Sequence, residues 1–170
     1  MRLIFFVVFS LVFLLLLWLF SLAIEINYSD FKEIKKRICN QKLIKKYPWL
    51  QIKNVWTGRS MNSEFTWLDD LPEGWRKAFG LQMVKELDQI LRKANYQNKY
   101  QITQIKENGG GLRWYDNGVP ENILEEYSQW FIKYEKLSEK TCIICGEPGK
   151  LTDNWCRLPL CKDCGKKGWK

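Results

Sequence analysis

The most conspicuous hydrophobic pattern in the chain is an apolar run over residues 3–24, which only Ser10 and Ser21 interrupt. A helix of about 20 apolar residues is long enough to cross the hydrocarbon layer of a bilayer. A cleaved signal peptide is the alternative, because residues 21–23 resemble a cleavage site, but the apolar core of a signal peptide is typically about 7–15 residues long. The pattern therefore favours a retained N-terminal transmembrane helix.

The next segment combines helical spacing with a high density of basic residues. Phe31, Ile34 and Ile38 recur at intervals of three and four residues, and Pro48 marks the end of the pattern. We therefore predict a basic juxtamembrane helix over residues 31–46.

Two further helices are predicted over about 72–95 and from Pro120 to about Lys136, each with one apolar face. Their apolar positions are Trp75, Phe79, Met83, Leu87, Ile90 and Ala94 in the first, and Ile123, Tyr127, Trp130, Tyr134 and Leu137 in the second. Residues 48–72 show no clear period, and we expect Trp49, Trp56 and Trp67 to pack there over the core.

Between these helices, residues 100–106 and 112–115 have the composition of strands, and the glycines 109–111 between them indicate a hairpin turn. The predicted fold class is α+β: an N-terminal transmembrane helix, a small domain of two helices on an antiparallel hairpin, and a C-terminal metal module. The predicted boundaries are a transmembrane anchor at 1–24, a basic juxtamembrane helix at 25–47, an α+β domain at 48–140 and a zinc ribbon at 141–170.

The net charge of +8 changes this picture only near the predicted membrane. Residues 31–53 hold eight basic side chains and one acidic one. Anionic lipid attracts such a segment, and an excess of Lys and Arg after a span places the following domain in the cytoplasm. The residues predicted to face the membrane surface are Lys32, Lys35, Lys36, Arg37, Lys42, Lys45 and Lys46.

Four of the six cysteines form two matching pairs, Cys142 with Cys145 and Cys161 with Cys164, and a glycine follows each pair. The spacing between the pairs is typical of a zinc ribbon, in which four thiolates fill a tetrahedral shell and make the metal structural. Two disulfides or an iron–sulfur cluster are the alternatives. Cys39 and Cys156 match neither pair.

No catalytic constellation emerges from the remaining residues. The chain contains no histidine, which excludes histidine-based acid–base catalysis and Ser–His or Cys–His nucleophiles. Arg113 and Tyr115 alternate with Trp114 on the second predicted strand. They are the candidate partner-binding residues, and the alternative places Trp114 in the core and leaves Arg113 solvated.

Several motifs together resemble a group of small proteins from bacteria, prophages and phages that carry a C-terminal zinc ribbon. They are WLDDLPEGWRKAFG at 67–80, QIKE at 104–107, LRWYDNG at 112–118 and LSEKTCIICG at 137–146. The resemblance implies a mobile-element origin and no assigned activity.

The sequence as a whole predicts a non-enzymatic binding or adaptor protein with a structural Zn²⁺. We expect a single-pass protein of the bacterial inner membrane with a cytoplasmic C-terminal domain. Its expected partners are anionic lipid and a protein. The alternative is a membrane-tethered nucleic-acid-binding protein that uses the zinc ribbon.

Overall fold

The first element, α1, is a helix over Arg2–Lys46. The computed structural model describes residues 2–54, 56–61, 64–153 and 157–167, except for the side chains of residues 2–12 and 19–29. The chain divides into two units, Met1–Cys39 and Asn40–Lys170.

The structure corrects the membrane predictions. Across the described residues, no helix has both the length and the apolar character needed to pass through a bilayer. Within the predicted span, the side chains of residues 3–12 and 19–24 lie outside the described part of the chain. This finding contradicts the predicted transmembrane helix, and with it the inner-membrane localisation and both membrane-tethered functions.

The predicted basic helix is part of α1 and does not begin at residue 31. Its end at Lys46, shortly before Pro48, agrees with the prediction, because proline disfavours helical backbone at the residue before it. Six of the seven residues predicted to face a membrane surface are exposed on α1, and Lys36 is half-buried. Their contact with lipid stays a prediction.

The helix predicted over about 72–95 is not continuous. The chain first forms two 3₁₀ turns, then a short helix α2, a π-turn and finally α3, with bounds Pro48–Leu50, Trp67–Asp70, Glu73–Trp75, Arg76–Gly80 and Leu81–Lys93. The predicted apolar face is nevertheless buried, apart from half-buried Ala94.

A β-hairpin pairs β1, Ile102–Asn108, with β2, Gly111–Asp116, in antiparallel register. Gly109 and Gly110 form its turn with φ of +65° and +85°, the conformation of a two-residue turn that glycine favours. The fourth helix, α4, spans Glu121–Ser138. It packs with α3 and the hairpin around a core that includes Trp75, Met83, Leu87, Leu91, Ile102, Leu112, Trp130 and Tyr134.

A smaller sheet pairs β3, Lys150–Leu151, with β4, Pro159–Leu160, and the short helix α5, Lys162–Lys167, follows it. The α+β class, with helices packed on an antiparallel hairpin, is therefore confirmed, and the predicted transmembrane helix is contradicted.

A buried polar cluster holds the segment before α2 in place. The side chain of Asn40 is fully buried; its amide nitrogen donates to the Asp69 carboxylate at 2.8 Å and to the Glu64 carbonyl at 2.9 Å. The Arg76 guanidinium donates to the Asn40 side-chain oxygen at 3.1 Å and pairs with Asp69. Both N–H groups of the Asn40 amide and its oxygen thus have a partner, as buried polar atoms require.

We expect Asn40→Ala to lower the free energy of unfolding by about 2–3 kcal/mol, because it removes three hydrogen bonds of a buried cluster, two of them to charged groups. Urea denaturation followed by tryptophan fluorescence measures the change. The matched control is Asn98→Ala, at an exposed position, which should change stability by less than about 0.5 kcal/mol. Equal effects of the two substitutions would contradict a stabilising role for the cluster.

Candidate metal centre

The first cysteine pair lies on a tight turn immediately after α4. The Thr141 hydroxyl donates to the Leu137 carbonyl at 2.8 Å, and the Gly146 N–H donates to the Cys142 carbonyl at 3.0 Å. Gly146 adopts φ +85°, which reverses the chain after Cys145. A non-glycine residue would be strained in this conformation.

The second pair lies at the start of α5, where the Gly165 N–H donates to the Cys161 carbonyl at 2.9 Å. The β3–β4 sheet brings this pair to the first one. The N–H of Ile143 donates to the Pro159 carbonyl at 2.9 Å, so the turn after α4 is joined directly to β4.

The four sulfur atoms of Cys142, Cys145, Cys161 and Cys164 lie within 4.8 Å of one another. The Cys145 and Cys161 sulfurs are 3.6 Å apart, and all four cysteines are free thiols rather than disulfides. Zn–S bonds of about 2.3 Å give sulfurs about 3.8 Å apart at the corners of a tetrahedron. The donor set and its spacing therefore fit one tetrahedral metal ion, and these cysteines could hold it.

Without a cation, the thiols share protons unevenly. Burial raises the pKa of Cys142, but backbone N–H groups of Cys145, Cys161 and Ile144 outweigh it and lower that pKa to about 6. A hydrogen bond with Cys161, followed by burial, raises the pKa of Cys164 to about 12. A bound cation would favour the thiolate form of all four cysteines, because it offsets the repulsion between neighbouring negative charges.

The first cysteine turn is docked on α2 by backbone contacts. The Gly74 N–H donates to the Ile143 carbonyl at 3.0 Å, and the Trp75 indole N–H donates to the Thr141 carbonyl at 2.9 Å. A Cβ atom added to Gly74 would lie 2.2 Å from the Cys142 carbonyl oxygen. The candidate metal centre is therefore continuous with the helical core through a contact that only glycine permits.

A second glycine contact joins the hairpin to the C-terminal module. A Cβ atom added to Gly110 would lie 2.3 Å from both the Arg157 carbonyl oxygen and the Leu151 side chain. No role at the centre was predicted from the sequence for Gly74 or Gly110. The available signal was Gly74 itself, because glycine inside a helical pattern costs about 1 kcal/mol and usually has a packing reason.

The other candidate residues lie away from the cysteines or outside the description. Trp114 is buried in the core, as the alternative interpretation of this strand predicted. Arg113 pairs with Glu135, and Tyr115 is exposed under the Lys106 ammonium, 5.3 Å from the ring centroid. Their role in partner binding stays a prediction. Cys39 is exposed on α1, and Cys156 lies outside the described residues.

Comparisons with protein-family models, with curated proteins and with solved structures found no match for this chain. The resemblance to bacterial, prophage and phage proteins therefore stays a prediction, and function has to be argued from the site alone.

Proposed function

We propose that this chain is a non-enzymatic zinc-binding module in which one Zn²⁺ has a structural role. The observation that carries the proposal is the convergence of the Cys142, Cys145, Cys161 and Cys164 sulfurs within 4.8 Å of one another. Thiolates are preferred zinc ligands, and four of them leave no position at which a substrate or water would bind. Such a site stabilises a fold rather than catalysing a reaction.

The surroundings of the cysteines indicate what the metal would stabilise. The strands β3 and β4 pair through only two residue positions each. None of the side chains of α5 is buried. Segments this short and exposed do not fold on hydrophobic burial alone. Bonds from one ion to both cysteine pairs would hold α5 and the small sheet against the turn that docks on α2.

Metal analysis of the purified full-length chain tests this proposal. We expect about one zinc per chain, since the four thiolates complete one tetrahedral shell. Elemental analysis after gel filtration gives the stoichiometry. Replacement of the zinc by Co²⁺ should produce the intense visible absorption of tetrahedral thiolate coordination, which octahedral Co²⁺ lacks.

Two results would contradict the proposal in different ways. Iron in place of zinc would contradict the assignment of the metal. A protein without metal whose four cysteines are in disulfides would contradict the site as a whole. The Cys39→Ser variant is the matched control, because Cys39 lies on α1 outside the cluster and should leave the zinc content unchanged.

A further inference from the structure

Trp56 is the largest departure from the predicted core. Its side chain is 93% exposed, whereas Trp49 and Trp67 are buried as expected. Tryptophan has a large apolar surface, and it is enriched at sites where one macromolecule binds another. The exposed indole of Trp56 is therefore available as a contact surface for another molecule.

Trp56 lies at the tip of a finger formed by residues 51–61, with Val55 outside the described residues. Lys53 and Ser60 form an antiparallel bridge across the finger, and the Asn54 N–H donates to the Arg59 carbonyl at 2.9 Å. A second bridge joins Gln51 to Thr66 at the base. The finger is thus attached to the domain at its base and projects the indole from its tip.

Hydrogen bonds to Asn54 hold the backbone of the described residues that follow Val55. The Asn54 side-chain oxygen accepts hydrogen bonds from the N–H groups of Trp56 and Thr57, both at 2.9 Å. The Gly58 N–H donates to the Asn54 carbonyl at 2.8 Å. These hydrogen bonds restrict the backbone at Trp56, Thr57 and Gly58, which reduces the backbone entropy that a bound ligand would remove.

The charged residues that flank Trp56 in the sequence are all basic. Residues 34–63 contain no Asp or Glu, and residues 40–63 contain five basic side chains. Two of these, Lys53 and Arg59, lie on opposite sides of the finger tip, and neither forms an ion pair within the described part of the chain. An uncompensated pair of cations beside an exposed aromatic ring complements a polyanion.

We infer that the finger binds single-stranded nucleic acid, with a base stacked on Trp56 and backbone phosphates beside Lys53 and Arg59. Aromatic rings combined with cations are the general means of binding single strands without sequence preference. An anionic lipid surface shares the charge complementarity, but interfacial binding typically uses an apolar face several residues wide. Among the described residues of the tip, polar Asn54 and Thr57 flank one indole, which matches the area of one base.

Titration of the full-length chain with a fluorescently labelled oligo(dT) of about 20 nucleotides tests the stacking contact. Trp56→Ala should weaken binding about 5- to 100-fold, the range for loss of one base–aromatic stack. Trp56→Phe, which keeps a ring, should recover most of the affinity. Phe31→Ala is the matched control, because it removes another exposed aromatic side chain and should leave affinity unchanged.

The charge contacts are tested by the salt dependence of the same binding. Lys53→Gln with Arg59→Gln should reduce the log–log salt slope by roughly 1.4, about 0.7 for each lost phosphate contact. The control pair is Lys85→Gln with Lys140→Gln, which removes two exposed cations elsewhere and should leave the slope unchanged. Thermal unfolding of each variant should match the parent, since these side chains are not in the core.

Two results would overturn the inference. One is unchanged oligonucleotide affinity for Trp56→Ala. The other is a loss of binding to vesicles of anionic phosphatidylglycerol in that variant without a loss of oligonucleotide binding, which would assign the finger to lipid. Neither result depends on the metal centre, because the zinc content of every variant is measured separately.

Discussion

Replacing Cys161 with serine should release the metal and unfold the C-terminal module of the otherwise full-length chain. A neutral hydroxyl is a poor substitute for a thiolate, and structural zinc contributes about 10–16 kcal/mol of apparent binding free energy in small peptides. Loss of this free energy also affects the core, because the module is docked on α2 through Gly74 and Trp75, but only part of it is transmitted through these contacts. A loss of about 5 kcal/mol in the core would lower Tm by roughly 10–20 °C for a chain of this size.

Two measurements distinguish unfolding of the C-terminal module from destabilisation of the core. Hydrogen exchange should become fast over residues 141–167, where the hydrogen bonds depend on the joined cysteine pairs, and Tm reports the effect on the core. Cys39→Ser should keep both the zinc and the parent Tm. A Cys161→Ser protein with full zinc content and unchanged Tm would show that the metal has no structural role at these cysteines.

The second large effect is expected from adding one methyl group at Gly74. The Cβ of an alanine would lie 2.2 Å from the Cys142 carbonyl oxygen, 2.7 Å from the Ile143 carbonyl carbon and 2.8 Å from the Gly146 nitrogen. All three atoms are backbone, so no side-chain rotation relieves the overlap. We expect Gly74→Ala to cost roughly 3 kcal/mol or more, at the upper end of overpacking effects.

Gly80→Ala is a closely matched control for this substitution. Gly80 lies in the same helical region with φ −54°, and a Cβ there would have its nearest neighbour, Leu71, at an ordinary 3.6 Å. Alanine should be neutral there or stabilise the protein by up to about 1 kcal/mol, since glycine is the weaker helix former. Chemical denaturation of both variants measures the change in the free energy of unfolding. Equal stability of the two would contradict a tight backbone contact at Gly74.

The cysteine cluster was predictable from the sequence because its determinants are local. Each pair is three residues apart and is followed by Gly146 or Gly165, so the turn that presents two sulfurs is encoded within five residues. The hairpin was predictable for the same reason, since its two-residue turn requires positive φ at Gly109 and Gly110. The identity of the metal is a separate matter that the spacing of sulfurs alone does not determine.

The docking of the module was not predictable, because it depends on contacts between distant parts of the chain. A helical pattern over 72–95 contains no information that the carbonyl of Cys142 approaches Gly74. The π-turn at Arg76–Gly80 escaped prediction for a related reason: it inserts one residue without changing which side chains are buried. In both cases the apolar pattern was correct and the backbone geometry was not.

The predictions for α1 and Trp56 show how far hydrophobicity alone misleads. The apolar run at 3–24 led to a membrane span, and the described part of the chain contains no helix suited to that role. Trp56 was assigned to the core for its apolar character, yet the Asn54-centred turn holds it in solvent. The available signal was the composition of the segment, because Asn, Thr and Gly around Trp56 are typical of a turn.

The hydrogen bond from the Trp75 indole to the Thr141 carbonyl also has a consequence for biosynthesis. Its partners are 66 residues apart, and at about 5–20 residues per second a ribosome takes roughly 3–13 s to make the residues between them. Throughout that interval, the nascent chain exposes the apolar surface on which Ile143 later packs. This hydrogen bond therefore forms only after Thr141 has been translated, and a ribosome that stalls before that point leaves exposed apolar surface that chaperones can bind.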